Sequence, residues 1–132
     1  MRDDLRVLVV DDVRDAAEIM AAALTLDGFE AKTAFDGLQA LEMVLKYRPH
    51  VVLFDVGMPN MDGCELSRVL RERYGDEMIL IAVTGRDARD PSVLSAMDRA
   101  DHHFMKPVDL DALRKVLSIP PPASRSAPAA RP

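Results

Sequence analysis

Several residues of this 132-residue chain that could do chemistry stand at the ends of short runs that read as strands. Residues 5–10, LRVLVV, run into Asp11 and Asp12, and His50–Phe54 runs into Asp55. Met78–Val83 runs into Thr84 and Gly85, and His102–Met105 into Lys106 and Pro107. Three carboxylates in one cleft would repel one another, since two unit charges ~4 Å apart interact by roughly 1–4 kcal/mol at dielectrics between water and a protein surface. A hard cation relieves that repulsion. Mg²⁺ suits a site with few protein carboxylates and room for water and a substrate phosphate. A lysine beside the cluster supplies a point charge for an anion. Thr84 offers a hydroxyl donor, and backbone N–H groups near Gly85 can add more. Together these groups answer to phosphoryl transfer, in which positioning and charge stabilisation do most of the work. A carboxylate can itself be the nucleophile and become an aspartyl-phosphate.

The elements that must position these residues follow from patterning. LRVLVV and VVLF are near-continuous apolar runs, as expected of strands buried on both faces. Phe29–Ala34 reads as a further strand that ends blandly at Phe35. Between the strands, Ala17, Met20, Ala21 and Leu24 recur at helical spacing before Gly28, and Leu38, Leu41, Val44 and Leu45 before Pro49. Leu66, Val69 and Leu70 mark a third helix, Val93–Arg99 a fourth with Pro91 near its first turn, and Leu110, Leu113, Val116 and Leu117 a fifth. Strands alternating with helices imply an α/β fold, a parallel sheet covered on both faces. Ligands then bind outside the carboxyl ends of the strands. The polar ends converge if the first, third, fourth and fifth strands are neighbours.

Each residue also has a plainer reading. Asp11-Asp12 could cap a helix, Asp55 a turn, and Lys106 could be a solvated surface charge. Asp62-Gly63 reads as turn chemistry. His102 and His103 are successive strand residues that face opposite ways, which disfavours joint chelation. Cys64 reads as packed, and the eight Met residues mostly as core filler. The co-occurrence of Asp11, Asp12, Asp55, Thr84 and Lys106 at strand ends favours the site over the caps.

Composition excludes other classes. A single Cys64 forms no internal disulfide and no cysteine-based zinc site, and fits a reducing, cytoplasmic compartment. No apolar run approaches the ~20 residues of a membrane span, and the acids of MRDDLRVLVVDD argue against a signal peptide. The formal charge of −5 argues against direct nucleic-acid binding. That charge divides unevenly. The segment from Ile119 holds Arg125, Arg131 and no acid, which leaves 15 basic and 22 acidic residues before it. Residues 1–118 read as the folded domain. Residues 119–132, with five of the nine prolines, read as a disordered Pro/Ala-rich tail.

At LVVDD (8–12), FDVGMPNMDG (54–63), AVTG (82–85) and MKP (105–107) the sequence resembles the receiver domain of bacterial two-component response regulators, in both spacing and order. The run DHHFMKPVDLDAL is similar to receivers attached to hybrid histidine kinases. The resemblance implies a doubly wound, flavodoxin-like sheet in the order 2-1-3-4-5. It implies that Asp55 accepts a phosphoryl group from a phosphohistidine on a histidine kinase or histidine phosphotransfer protein. Asp11, Asp12, Asp55 and the backbone carbonyl of Gly57 would hold Mg²⁺. Thr84, Gly85 and Lys106 would contact the phosphoryl group, Thr84 and His103 would act as the switch, and Lys106-Pro107 would be a cis peptide. Gly57 offers no side chain to position a hydrolytic water, and Arg86 adds positive charge near the cleft.

The leading expectation is a phosphoacceptor switch made of a receiver domain alone, monomeric or dimerising on phosphorylation. It would assist its own phosphorylation and dephosphorylation without being a turnover enzyme. Its output would be a partner protein bound at the surface of the fourth helix, fifth strand and fifth helix, or onward phosphoryl transfer. The alternative is a receiver-fold interaction module that works without phosphorylation. A phosphatase similar to haloacid dehalogenases wants a second acid two residues after the nucleophile, where Gly57 stands. A flavin-binding protein is disfavoured by the acidic first loop.

Overall fold

A computed structural model of the chain describes residues 5–56, 63–85 and 91–118, apart from the side chains of Ser92, Val93 and Met97. The elements run β1 (Arg6–Val10), α1 (Arg14–Leu26), β2 (Glu30–Ala34), α2 (Gly37–Tyr47), β3 (Val51–Asp55), α3 (Gly63–Tyr74), β4 (Ile79–Thr84), α4 (Pro91–Arg99), β5 (His102–Met105) and α5 (Leu110–Ser118). All strands pair in parallel, in the expected order β2-β1-β3-β4-β5. The predicted strands begin one residue early. Leu5, Phe29, His50 and Met78 lie just outside, while β3 and β4 run one residue further to include Asp55 and Thr84. The fourth helix starts at Pro91 itself, a first-turn position where the missing N–H costs nothing.

Alternation along the central strands divides the core in two. Leu8, Val10, Val52, Phe54, Leu80 and Ala82 pack with Val44, Leu66, Leu70 and Ala96 on the side of α2, α3 and α4. Val7, Val9, Leu53, Ile81 and Val83 pack with Ala17, Leu24, Leu113 and Leu117 on the side of α1 and α5. Central strands covered on both faces therefore read as unbroken Val/Leu/Ile runs, whereas β2 and β5 at the edges carry exposed residues in alternation. Of the methionines whose side chains are described, Met78 is buried, Met20 and Met43 are half-buried against the cores, and Met105 is exposed, a departure from core filler.

Helix ends are satisfied by side chains. Asp36, the N-cap of α2, accepts from Gln39 N at 2.7 Å, and Gln39 Oε1 accepts from Phe35 N, one residue before the cap, at 2.6 Å, a variant of the capping box. Gly28, at φ 97°, lets the chain leave α1. At the end of α2 the Arg6 guanidinium donates to the carbonyls of Tyr47 and Arg48. Arg71 of α3 donates to the carbonyls of Gly75, Met78 and Arg99 and pairs with Asp101 at 2.9 Å, and Asp101 also accepts from Leu80 N at 2.8 Å. This half-buried network ties α3, α4, β4 and β5 at the amino-terminal end of the sheet. Among the described residues no helix is long and apolar enough to cross a membrane. The proposed tail, residues 119–132, lies outside the described residues, as do Gly57, Asp62 and Arg86.

Removing one partner of a buried ion pair strands the other. Asp101→Ala, which removes the carboxylate from Arg71 and the acceptor from Leu80 N while Arg71 keeps its carbonyl partners, is expected to cost about 2 kcal/mol. Urea unfolding checks this, and a loss below about 0.5 kcal/mol, typical of surface changes, would show the network to be ornamental.

Candidate functional site

Parallel register brings the strand ends into one row. Val10 is opposite Phe54, Phe54 opposite Ala82, Asp55 opposite Val83 and Thr84 opposite Met105. The residues that follow β1, β4 and β5 therefore emerge beside Asp55. Asp11 N donates to Ala34 O at 3.1 Å, which fixes the first acid against β2. Asp11 Oδ1 accepts from Val13 N at 3.0 Å, a local turn bond and not a helix cap, since Val13 itself is the N-cap of α1 and has no side-chain cap bond. One carboxylate oxygen from each of Asp11, Asp12 and Asp55 falls within 4.8 Å of the others. Asp11 is buried, Asp55 intermediate and Asp12 exposed. Lys106 Nζ crosses from the end of β5 to Asp55 Oδ2 at 3.2 Å and Asp11 Oδ2 at 3.6 Å.

Among the described residues one ammonium, that of Lys106, meets two of the three carboxylates. Burial pushes the Asp11 carboxyl above its ordinary range, and repulsion from Asp55 and Asp12 adds to that shift, against the opposing Val13 N–H and Lys106. Burial alone would lower Lys106, but attraction and hydrogen bonding by Asp55 and Asp11 outweigh it and hold the ammonium above its ordinary value. Three carboxylates with converging oxygens, Asp12 open to solvent, are a donor set that a hard divalent cation fits. Asp11, Asp12 and Asp55 could hold it. The expected fourth protein ligand, the Gly57 carbonyl, lies outside the described residues.

The remaining expected residues are placed as follows. Thr84 is buried at the end of β4, and its carbonyl accepts from Lys106 N at 2.9 Å. Gly85 is exposed. A Cβ there would meet Lys106 Cδ at an ordinary 3.6 Å, so space does not demand glycine. The Lys106-Pro107 peptide is cis. His103 is exposed on β5 and half-buried His102 faces the opposite way, so the pair does not converge, as period-two alternation requires. Neither histidine joins the acid cluster. A largely apolar cavity of about 400 Å³ opens beside the ionic groups, walled by Met20 of α1 and by Pro107 and Val108.

Gly63 carries more than turn chemistry. It opens α3 against the strand that bears Asp55. A Cβ there would lie 2.5 Å from Val56 Cα and 2.8 Å from Asp55 O. Only glycine lets the helix approach so closely. The motif FDVGMPNMDG contained this residue, but no local signal reveals which backbone it meets.

A family model for the response regulator receiver domain matches residues 7–118. The response regulator MprA of Mycobacterium ulcerans is 38% identical over 109 residues, covering 83% of this chain and 47% of MprA. The chain thus spans about half the length of the curated relatives it matches. Among solved structures, a CheY-like receiver domain protein from Methanospirillum hungatei superposes with a TM-score of 0.76 at 29% identity, covering 86% of this chain and 94% of that one. The response regulator TrrA of Thermotoga maritima, solved in complex with Mg(2+)-BeF, gives 0.74 at 28% identity, covering 86% and 96%.

A carboxyl raised in the fold contributes stability that is complete below its unfolded value and lost as pH rises through its folded value. Asp11→Asn keeps the acceptor for Val13 N and removes the charge. In chelator it is expected to stabilise the fold at neutral pH by on the order of 1 kcal/mol, or ~4 °C. The gain should disappear below pH 3.8. Thermal melts at the two pH values decide it, and equal gains at both would rule out charge as the cause. Gly63→Ala is expected to cost about 2–3 kcal/mol through overpacking, read by urea unfolding.

Proposed function

The chain belongs to the response regulator receiver domain family of two-component systems, and from that premise we propose that Asp55 takes up a phosphoryl group from a phosphohistidine donor. The donor would be a histidine kinase or a histidine phosphotransfer protein. The observation that carries this reading is the reach of Lys106 to both Asp55 and Asp11 across the carboxyl end of the sheet.

In this reading an Asp55 carboxylate oxygen attacks phosphorus, the P–N bond breaks, and its electron pair returns to the imidazole nitrogen, which takes a proton from water. Lys106 follows the charge as it moves from the carboxylate to the phosphoryl oxygens. The Thr84 hydroxyl and the Gly85 N–H donate to those oxygens. Mg²⁺, when bound by Asp11, Asp12 and Asp55, would neutralise the repulsion between the acids and the incoming dianion. Because Lys106 already bridges two acids, it must loosen from Asp11 when the phosphoryl group arrives. That exchange of partners is the local event from which a switch would start.

The surface that would read the switch is formed by α4, β5 and α5. Leu94 of α4 and His103 and Met105 of β5 are exposed there, which supports a protein partner. An imidazole at position 103 could change rotamer as Thr84 is drawn toward the phosphoryl group. The chain would thus be a phosphoacceptor that assists its own modification and its reversal, not a turnover enzyme.

Incubation with Mg²⁺ and acetyl phosphate is expected to add the mass of one phosphoryl group, absent in Asp55→Ala and after chelation. Lys106→Met should slow the reaction by about 10²-fold, the usual loss on removing one preorganised charge-stabilising donor. No gain in mass, or labelling that persists in Asp55→Ala, would sink the proposal. Full partner binding by Asp55→Ala would favour an interaction module that needs no phosphorylation.

A further inference from the structure

Arg99 closes α4, and its side chain reaches α3. Arg99 Nη1 donates to Cys64 O at 3.2 Å and contacts Cys64 Sγ at 3.3 Å. The backbone of Arg99 is itself held: Arg71 Nε and Nη2 donate to Arg99 O at 3.1 and 2.8 Å, and Arg71 pairs with Asp101 just before β5. Cys64 is the second residue of α3, and its carbonyl also accepts from the fully buried Ser67 hydroxyl at 2.8 Å. Gly63 precedes it, presses against the backbone of Asp55 and Val56, and donates its N–H to Val56 O at 3.2 Å. These contacts form an unbroken line from the joined ends of α4 and β5 to the main chain that carries Asp55.

We propose that Arg99 is a positioning residue that couples the end of α4 to Asp55 through the first turn of α3, a route separate from Thr84 and His103. The inference rests on Asp55 being the phosphoacceptor. The first turn of α3 sits against Asp55 and Val56 with no Cβ to cushion it, so a shift of that backbone on phosphorylation moves Cys64. The planar Arg99 fork, pinned at its own backbone by Arg71, passes the shift to α4. A lysine carries the same charge but is a compact ammonium on a flexible stem, without the rigid plane that fixes Nη1 against both the Cys64 carbonyl and its sulfur. Coupling of this kind is reciprocal: a partner that fixes the end of α4 must alter phosphoryl-site affinity by the same factor.

The test uses the full chain with Mg²⁺ and beryllium fluoride as the phosphoryl stand-in, and follows backbone amide hydrogen exchange and beryllofluoride affinity. In the parent, protection is expected to change in the first turn of α3 and also over residues 96–101. In Arg99→Lys and Arg99→Gln the response over residues 96–101 should fall about fivefold or more, a modest coupling for such a link, and beryllofluoride affinity should change with it. The response in α3 should persist in both variants. A lower melting temperature with the α4 response intact would show that Arg99 is only a structural tie, and would overturn the proposal. A parent response that stops within α3 would overturn it as well, leaving the phosphoacceptor reading in place. No response anywhere in the parent would remove that reading and the coupling with it.

Discussion

Mutual repulsion among three carboxylates, held within 4.8 Å at the rim of an apolar sheet, is the constraint that the rest of this structure must withstand. Each pair opposes folding by roughly 1–4 kcal/mol at surface-like dielectrics. The residues leading into the acids answer that cost. Val9 and Val10 precede Asp11, and Leu53 and Phe54 precede Asp55, all buried. Each fully buried side chain of this size contributes about 1.5–3 kcal/mol. Two cores, one on each face, clamp the strands so that their ends cannot spread. Lys106 relieves part of the repulsion. The site is thus held under charge strain, and an incoming cation or phosphoryl group changes its energy sharply.

Much of this was readable in the sequence because burial on both faces writes itself as unbroken Val, Leu and Ile. The central strands and the acids after them follow from that alone. Helical spacing around Leu24, Val44, Leu70 and Leu117 supplied the alternation. Strand order was different: nothing in periodicity says that β1 lies between β2 and β3, and the order came from resemblance to receivers. Boundaries slipped by a residue because Phe29, His50 and Met78 are apolar or half-buried while lying outside the ladder.

What the sequence hid was tertiary approach. Gly63 looked like a turn glycine, yet its meaning lies in the Val56 backbone 2.5 Å from where a Cβ would stand. Gly85, read for its backbone N–H, is under no such constraint: a Cβ there would meet only the flexible stem of Lys106. Arg71, Arg99 and Asp101 carry no motif or spacing that singles them out. Their partners are up to 35 residues away along the chain and become visible only when α3 and α4 are side by side.

Charge is arranged oppositely at the two ends of the strands. At one end acids repel. At the other, Arg6 and Arg71 gather the loose carbonyls of α2, α3 and α4. Tolerance to heritable change should therefore be graded along the strand axis. Substitutions near Arg6 alter stability without touching the reacting atoms, while those near Arg71 also bear on the Arg99 link to α3. Substitutions near Asp11 and Asp55 alter the chemistry and can even relax the fold. A lineage adapting to heat would be free to remodel the surroundings of Arg6, while one changing its chemistry would have to work at the acidic end and draw on stability held elsewhere.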